Sequence, residues 1–318
     1  MAANLVHLPD IERLSSRVIR ILGGNPGKVE HSVLLYHTRN LMRCSSHCRV
    51  TLSVVLASDG PRLILNVVGT NTYLVGQGPK RLLIDTGEGK PAWVQTLKKV
   101  LSDEKASIDQ AILTHWHPDH VGGVKDLLQF SSHTKIFKNQ PTEGQLDVKD
   151  GQTFTTQGAT LRAFHCPGHT VDHMAFILEE EDAMFTADNV LGQGTAVFED
   201  LAAYMDSLNR MQHQFSGRAY PGHGPVIDNG KLKIEQYIQH RQEREDQVIG
   251  VLDQQPPEGS KAWKSMEMVK IIYKDVPENL HVPAEGGVLQ VLKKLEKEGK
   301  VKHHADSKTW SLNTKAAL

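Results

Sequence analysis

The densest group of metal-binding residue types in the sequence is the run THWHPDH at 114–120. Four potential ligands occur within six residues: His115, His117, Asp119 and His120. Zinc and similar divalent ions prefer neutral imidazole nitrogens together with a few carboxylate oxygens. A hydrophobic core gains nothing from these groups, because buried His and Asp side chains are costly unless they are paired. The run therefore predicts a metal site.

The spacing within this run favours two adjacent ions over one. His115 and His117 alternate, so from an extended backbone both side chains point to the same side. Asp119 and His120 cannot easily join them around the same ion and are left for a second one. Two ions about 3.5–4 Å apart can share one hydroxide and lower the pKa of its parent water. That hydroxide would be the nucleophile, so no separate Ser or Cys nucleophile is needed.

Three later segments each place one further ligand at the end of a strand. They are CPGHT at 166–170 with His169, FTAD at 185–188 with Asp188, and YPGHGP at 220–225 with His223. Each segment alone has a simpler explanation. A His in a Gly/Pro loop is usually a turn residue or a satisfied core histidine, and an Asp after a strand usually caps a helix or forms a turn. Occurring together with the first run, they favour a shared metal site.

Hydrophobic patterning predicts the elements that must position these segments. Short apolar or alternating runs predict strands at 17–22, 70–75, 81–85, 110–114, 160–164, 174–178 and 183–187. Helical periodicity covers 91–102, 122–130, 198–211 and 230–253. The ligands thus follow strand ends, where rigid elements can hold a site accurately.

The segment QQPPEGS at 254–260 predicts a linker, because its two prolines must end the preceding helix. It divides the chain into a domain at 1–253 and a C-terminal region at 254–318. Predicted helices at 265–273 and 287–298, followed by a strand–turn–strand at 300–312, indicate a winged-helix-like module. The alternative is a helical cap that only covers apolar surface.

Composition restricts the class of protein. The 318 residues carry 36 Lys+Arg and 37 Asp+Glu, a balance that excludes a uniformly basic nucleic-acid coat. Three cysteines do not suggest a disulfide framework and favour a reducing compartment. No apolar run approaches the ~18 residues of a membrane span, so we expect no membrane partner.

Taken together, the segments GTNTYLVG, LLIDTG, THWHPDHVGG, PGHT, AD and YPGHGP resemble the metallo-β-lactamase superfamily, and within it the glyoxalase II-like branch. The resemblance is strongest to the β-lactamase-like protein 2 family, described as zinc endoribonucleases of the mitochondrial matrix. It covers residues 1–27 and 69–318. It implies an α/β fold, the αββα metallo-β-lactamase sandwich, with a C-terminal winged-helix-like region.

The same resemblance implies two zinc ions per chain and a division of the ligands between them. The first ion would take His115, His117 and His169, the second would take Asp119, His120 and His223, and Asp188 would bridge the two. Asp119 and Asp188 are the candidate catalytic residues, because they would hold the metal-bridged hydroxide. Asp85 of LLIDTG would support the metal loop without binding metal.

The function that this resemblance implies is cleavage of single-stranded RNA, with no duplex DNA expected as a partner. A basic run in the C-terminal region gives weak support, although such runs are more often solvated helix faces. Its members are Lys293, Lys294, Lys297, Lys300, Lys302 and Lys308. Two alternatives compete: hydrolysis of a thioester on glutathione or an acyl carrier, and a metal-stabilised binding module. The expected location is the mitochondrial matrix, with the cytoplasm as the alternative because no targeting signal is evident.

Three features lie beside the main pattern. Residues 28–68 interrupt the family pattern between NPG and GTNTYLVG, and we expect this insert to be poorly ordered and close to the edge of the site. Asp172 and His173 follow His169 closely; strand capping is the simpler role, and leaving-group protonation or substrate contact is the alternative. Cys166 is expected to pack rather than to act as a nucleophile.

Overall fold

The computed structural model describes residues 8–23 and 69–313, together with the backbone of two short strands between these ranges. The strands are β1 Ile11–Arg13, β2 Val18–Leu22, β3 Ser53–Ala57, β4 Gly60–Ile64, β5 Asn71–Val75, β6 Lys80–Ile84, β7 Ser107–Leu113, β8 Lys135–Lys138, β9 Leu146–Asp147, β10 Thr153–Thr156, β11 Ala159–His165, β12 Met174–Leu178, β13 Ala183–Ala187, β14 Ala219–Pro221, β15 Val301–His304 and β16 Thr309–Leu312. The helices are α1 Pro91–Asp103, α2 Pro118–Val121, α3 Val124–Phe130, α4 Leu201–Met211, α5 Gly230–Leu252, α6 Ser265–Ile272 and α7 His281–Lys297. None of the described helices combines the length and apolar character needed to cross a membrane.

Two larger sheets dominate the described part of the chain. The first sheet has the strand order β1-β2-β5-β6-β7-β8-β9, and the second has the order β10-β11-β12-β13-β14. Strands β6 to β9 run parallel to one another, and β13 and β14 are also parallel. Polar residues that follow parallel strands therefore meet at one edge of each sheet.

Strand β12 shows how the layers pack. Its alternate residues Met174, Phe176 and Leu178 belong to the core between the two sheets, whereas Ala175 and Ile177 belong to the core on the helical side. The outer face of the first sheet packs against the buried apolar residues of α1 and α3. The αββα sandwich implied by the resemblance is confirmed.

The C-terminal region shares the core of the second sheet's helices. Val288, Leu292 and Leu295 of α7 lie in the same buried cluster as Tyr204 and Leu208 of α4. The antiparallel hairpin β15–β16 completes the predicted helix–helix–wing order. The region is thus winged-helix-like in its elements and also covers apolar surface, as the alternative proposed; the domain boundary at 253 and 254 stays a prediction.

Most predicted elements are confirmed with end shifts of up to three residues, and the start of one helix differs by more. Helix α7 begins at His281 rather than at 287, because Pro283 is tolerated in the first turn and the following glycines do not break the helix. Of the insert at 28–68, the structure describes only the pairing of β3 with β4. The rest of the insert, and with it the expectation of poor order, lies outside the described residues.

Candidate metal centre

The structure brings all seven sequence-predicted ligands together. One group comprises His115, His117, His169 and Asp188, and the other comprises Asp119, His120 and His223. Within each group the potential ligand atoms lie within 4.8 Å of one another. The side chains follow the ends of β7, β11, β13 and β14, which is where the sequence analysis places them.

The three histidines of the first group point their ring nitrogens at a common point. His117 Nδ1 lies 2.9 Å from His115 Nε2 and 3.0 Å from His169 Nε2, and the last two atoms are 3.3 Å apart. Nitrogens bound at 2.0–2.1 Å to one tetrahedral zinc ion are separated by about 3.3 Å. The triangle therefore fits a single ion.

The far nitrogens of two of these rings are fixed by neighbouring groups. His169 Nδ1 lies 2.7 Å from the carbonyl oxygen of Val197, and His115 Nδ1 lies 3.0 Å from the hydroxyl oxygen of Thr114. A ring that donates its Nδ1 proton to a carbonyl leaves the Nε2 lone pair free for a metal. The surroundings thus favour the metal-binding tautomer of His169.

Asp188 lies between the two groups. Its carboxylate oxygens are 3.4 Å from His120 Nε2, 3.3 Å from His223 Nε2 and 3.7 Å from His169 Nε2. His120 Nε2, Asp188 Oδ1 and His223 Nε2 are buried without a hydrogen-bond partner. Buried polar atoms are rarely left in this way, so their convergence fits a pair of cations with Asp188 in the bridging position.

Burial and charge divide the histidines into two electrostatic classes. Burial lowers the pKa of His117 to about 4 and holds the pKa of His115 well below its ordinary value, so both rings are neutral ligands. Burial also acts to lower the pKa of His223, but the carboxylates of Asp188 and Asp119 raise it to about 10. The carboxylates of Asp188 and Asp119 thus favour a positive charge on His223. Bound metal ions would provide that charge in place of the proton.

Asp85 holds the loop that carries the first metal ligands through hydrogen bonds, as the resemblance implied. Its carboxylate accepts hydrogen bonds from the backbone N–H of Thr114 at 2.8 Å and from the Thr114 hydroxyl at 2.9 Å, and it lies 2.8 Å from His120 Nδ1. Asp85 has a φ of 59°, and Ala187, directly before Asp188, has a φ of 43°. Non-glycine residues in this left-handed region are strained, and such strain is concentrated at functional sites.

The loop that carries His223 is anchored by two residues that the sequence analysis missed. Asn71 Nδ2 donates to the carbonyl oxygens of Pro221 and Gly224, each at 2.9 Å, and the Tyr73 hydroxyl donates to the Pro221 carbonyl at 2.7 Å. A Cβ atom on Gly222 would lie only 2.2 Å from Asp188 Oδ1, so glycine is required there. The indication in the sequence was that TNTYLV, although a buried strand, begins with three polar residues.

Asp172 and His173 support the ligand loops from buried positions. Asp172 forms an ion pair with Lys138, which the sequence analysis also missed, and accepts a hydrogen bond from the Thr170 hydroxyl at 2.7 Å. His173 Nε2 accepts the backbone N–H of Asp188 at 3.2 Å. These engagements favour a supporting role over leaving-group protonation.

Cys166 is fully buried, and its Sγ lies 3.2 Å from Nδ1 of His173. Burial raises the pKa of this thiol to about 12. A thiol held in its protonated form is a poor nucleophile, so the structure supports the predicted packing role.

Three large apolar side chains are exposed on the loops around the first histidine group. Trp116 is 46% exposed, Val171 is 57% exposed and Val197 is 38% exposed. The Trp116 ring packs edge-on against His117, and the Val197 carbonyl is the group beside His169. We call these three exposed side chains, Trp116, Val171 and Val197, the apolar rim.

Comparison with known proteins identifies the family. The family model described as the metallo-beta-lactamase superfamily matches residues 65–137, and that of the beta-lactamase associated winged helix domain matches residues 265–310. The atrochrysone carboxyl ACP thioesterase of Aspergillus chevalieri is 41% identical over 304 residues, which cover 94% of this chain and 87% of that protein. The lactamase-like protein nscB of Aspergillus fumigatus is 40% identical over 312 residues, which cover 94% and 84%. This chain belongs to the metallo-β-lactamase superfamily.

Solved structures agree on the fold. A beta-lactamase domain protein from Burkholderia ambifaria superposes with a TM-score of 0.68 at 15% identity, over 96% of this chain and 95% of that one. A metallo-beta-lactamase family protein from Thermus thermophilus has a TM-score of 0.59 at 21% identity, over 83% and 98%. At these identities the similarity shows the architecture alone.

The endoribonuclease expectation is wrong, and so is single-stranded RNA as the partner. Among the most similar curated proteins are a thioesterase of Aspergillus chevalieri and the lactamase-like proteins nscB and aptB of other fungi, rather than endoribonucleases of the β-lactamase-like protein 2 family. The metal-site sequence indicated hydrolysis but carried no information on the leaving group. The mitochondrial location, which came from the same resemblance, stays a prediction.

The structure also reduces the weak support that the basic run gave to RNA binding, because three of its six lysines are paired with carboxylates. Lys294 and Lys300 both pair with Glu245 and Glu298, and Lys297 pairs with Asp200. Positive charge that is already paired with carboxylates is not available to phosphates.

Proposed function

We propose that the protein is a dinuclear zinc hydrolase that cleaves a thioester between an acyl group and an acyl carrier. The observation that carries this proposal is a complete His/Asp centre in a chain that is 41% identical, over 94% of its length, to a protein named as an ACP thioesterase. The proposal corresponds to the thioester alternative of the sequence analysis.

The two groups of side chains would each hold one ion. His115, His117 and His169 would bind the first, Asp119, His120 and His223 would bind the second, and Asp188 would bridge them. When bound, the ions supply an activated water and positive charge opposite the substrate carbonyl oxygen. Cysteine thiolate is not among the ligands, and a mixed N/O set of this kind suits zinc.

Asp119 is the carboxylate of the centre best placed to act on the attacking water. It is the partly exposed member of the pair of carboxylates, and its Oδ2 accepts a hydrogen bond from the Thr70 hydroxyl at 3.1 Å. A carboxylate held by Thr70 keeps lone pairs free to accept a hydrogen bond from water and so to orient it. Asp188, which is buried and central, holds the centre together.

The leaving group of a thioester suits this site better than that of RNA. Hydrolysis adds the water oxygen to the carbonyl carbon and breaks the carbon–sulfur bond. The products are a carboxylate and a thiolate, and the two protons of the water pass to solvent. A thiol with a pKa of about 8.5 departs without a proton, whereas an alkoxide requires an acid. The two candidate acids of the sequence analysis, Asp172 and His173, are both buried and engaged in support.

The apolar rim favours an acyl substrate. Its three side chains are exposed beside the ligands His117 and His169, where a nuclease would need cations for phosphates. Exposed apolar groups at a binding site gain free energy when an apolar ligand covers them, about 25 cal/mol per Å². The rim therefore supports an acyl group with a substantial hydrocarbon or aromatic portion.

The test is to load the protein with zinc, measure its metal content, and supply an acyl-pantetheine thioester and a labelled single-stranded RNA in parallel. We expect about two equivalents of metal and release of free thiol with intact RNA. His117→Ala should abolish thiol release, whereas His133→Ala, at an exposed position remote from the centre in sequence, should not. Fewer than one equivalent of metal on folded protein, or no thiol release by the loaded enzyme, would contradict the proposal.

A further inference from the structure

A second group of unsatisfied buried polar atoms lies on α5, outside the metal centre. In the described residues this group comprises Nδ1 and Nε2 of His240, Nε of Arg241 and Nε of Arg244. At the metal centre the same feature accompanies a site for cations. On α5 the side chains carry positive charge or can donate protons, so the feature indicates a site for an anion.

The three side chains occupy one face of α5. His240 and Arg244 are four residues apart, and Arg241 and Arg244 are three apart, which are the spacings of neighbours on a helix surface. The Arg241 guanidinium lies 4.8 Å from the centroid of the Phe198 ring, and that of Arg244 lies 4.7 Å from the centroid of the Tyr273 ring. Stacking on these rings fixes the guanidinium planes in advance of any ligand.

Neither arginine has a carboxylate partner within the described residues. Arg241 donates to the Ala196 carbonyl at 2.9 Å, and Arg244 donates to Gln247 Oε1 at 2.6 Å. Glu243, the carboxylate whose charge reaches His240 and Arg244, instead accepts a hydrogen bond from Gln239. Two half-buried cations without a counter-charge are costly, and a bound anion would remove that cost.

The cluster is next to the loop that orients a metal ligand. Arg241 contacts the carbonyl of Ala196, and the carbonyl of the following residue, Val197, lies 2.7 Å from His169 Nδ1. The Phe198 ring beneath Arg241 is on the same loop. A ligand on the cluster would therefore lie against the loop that orients His169 rather than on an unrelated surface.

We propose that His240, Arg241 and Arg244 bind the phosphate of the phosphopantetheine arm that presents the thioester to the metal centre. This inference rests on the proposed function and deepens it. The planar guanidinium groups match phosphate oxygens in a bidentate manner, and the imidazole adds a further N–H donor. An anchor for the phosphate at one end of the arm and a site for the carbonyl at the other would select carrier-bound thioesters over free ones.

The test compares two substrates with the same acyl group, acyl-phosphopantetheine and acyl-pantetheine, which differ only in the phosphate. In the native protein we expect kcat/KM to be about ten- to hundredfold higher for the phosphorylated substrate, the effect of one or two charge-assisted hydrogen bonds. Arg244→Gln should reduce this ratio to near one. Arg244 is the preferred position because it does not contact the loop that holds His169.

Two further variants separate phosphate recognition from general damage. Arg241→Lys keeps the positive charge but loses the planar guanidinium that can bind two phosphate oxygens at once. The ratio of kcat/KM for the phosphorylated substrate to that for the unphosphorylated one should therefore fall only in part. Arg162→Gln removes an arginine that pairs with Glu179 on the second sheet, and its ratio should stay at the native value. Because each result is a ratio of two substrates in one protein, a uniform loss of activity does not imitate it.

The outcomes distinguish the two proposals. Failure to hydrolyse either substrate would contradict the proposed function, whereas equal hydrolysis of both by the native protein would overturn only the phosphate site. Coenzyme A carries the same phosphopantetheine group, so parallel arms with acyl-coenzyme A and an acyl-carrier protein identify the source of the thioester. If the native protein prefers one of these two sources and Arg244→Gln loses that preference, the result supports the phosphate site.

Discussion

The metal centre and the C-terminal region both concentrate charged residues, and the fold treats them in opposite ways. At the centre, Asp188 and the histidines around it are buried with atoms left unpaired. In the C-terminal region, Lys294 and Lys297 find carboxylates on other elements. A charge indicates a ligand site only where the fold leaves it unpaired, and the sequence alone does not reveal which charges will be paired.

The largest effect should come from the residue that joins both halves of the centre. Asp188→Asn keeps the size of the side chain but removes the charge between the two groups. We expect kcat for thioester hydrolysis to fall about a thousandfold, since metal catalysis contributes several kcal/mol. Asp206→Asn, at an exposed site on α4, is the control. If Asp188→Asn retained native activity, the unpaired charge at the centre would matter no more for catalysis than the paired charges of the C-terminal region.

The paired lysines should matter for stability instead of catalysis. Lys294→Met leaves the buried carboxylate of Glu245 with only Lys300 nearby, so we expect the free energy of unfolding to fall by about 3 kcal/mol. Lys297 lies on the same helix as Lys294, and Lys297→Met breaks its exposed pair with Asp200, which should cost less than about 1 kcal/mol. Urea denaturation measures both. Equal losses would show that burial does not separate these two pairs.

Asp85 tests whether the centre depends on groups that do not bind metal. Asp85→Asn retains an acceptor for Thr114 but loses the negative charge beside His120. Zinc affinity should fall about ten- to hundredfold, as is usual when such supporting groups are altered. Competition with a chelator measures it, and Asp109→Asn, a half-buried carboxylate on β7 that pairs with Lys80, provides the comparison. An unchanged affinity would mean that the strand ends alone position His120.

The smallest effect should come from the apolar rim. Trp116→Ala removes apolar surface from the entrance, so kcat/KM for a long or aromatic acyl thioester should fall about tenfold. The same variant should hydrolyse an acetyl thioester almost as the native protein does. Leu232→Ala, an exposed apolar residue on α5, is the matched control. An equal loss for acetyl and long acyl substrates would argue against acyl recognition by the rim.

The sequence was most informative where one short segment determines the structure. The strands Met174–Leu178 and Ala183–Ala187 are confirmed at their predicted bounds, because both are short, mainly apolar runs. The seven metal-site residues are brought together because each follows a strand end. Local pattern was sufficient in these cases.

The residues that the sequence analysis missed depend on contacts between distant segments. Lys138 pairs with Asp172, 34 residues away, and Asn71 donates to the carbonyl of Pro221, 150 residues away. No local pattern predicts such partners. The substrate was misjudged for a related reason: the same ligand set serves different leaving groups. Three of the six lysines that suggested RNA, Lys294, Lys297 and Lys300, are paired with carboxylates of distant segments.

Helix α7 also reaches the loop beside His169. Gln290 donates to the Glu199 carbonyl at 3.1 Å, and Lys297 binds Asp200, the residue that caps α4. The loop that orients His169 is therefore clamped from the far end of the chain, and a shortened protein that stops after α5 would lose that clamp along with its apolar cover. Catalytic geometry and the C-terminal helices have to be retained as one unit in any engineered fragment.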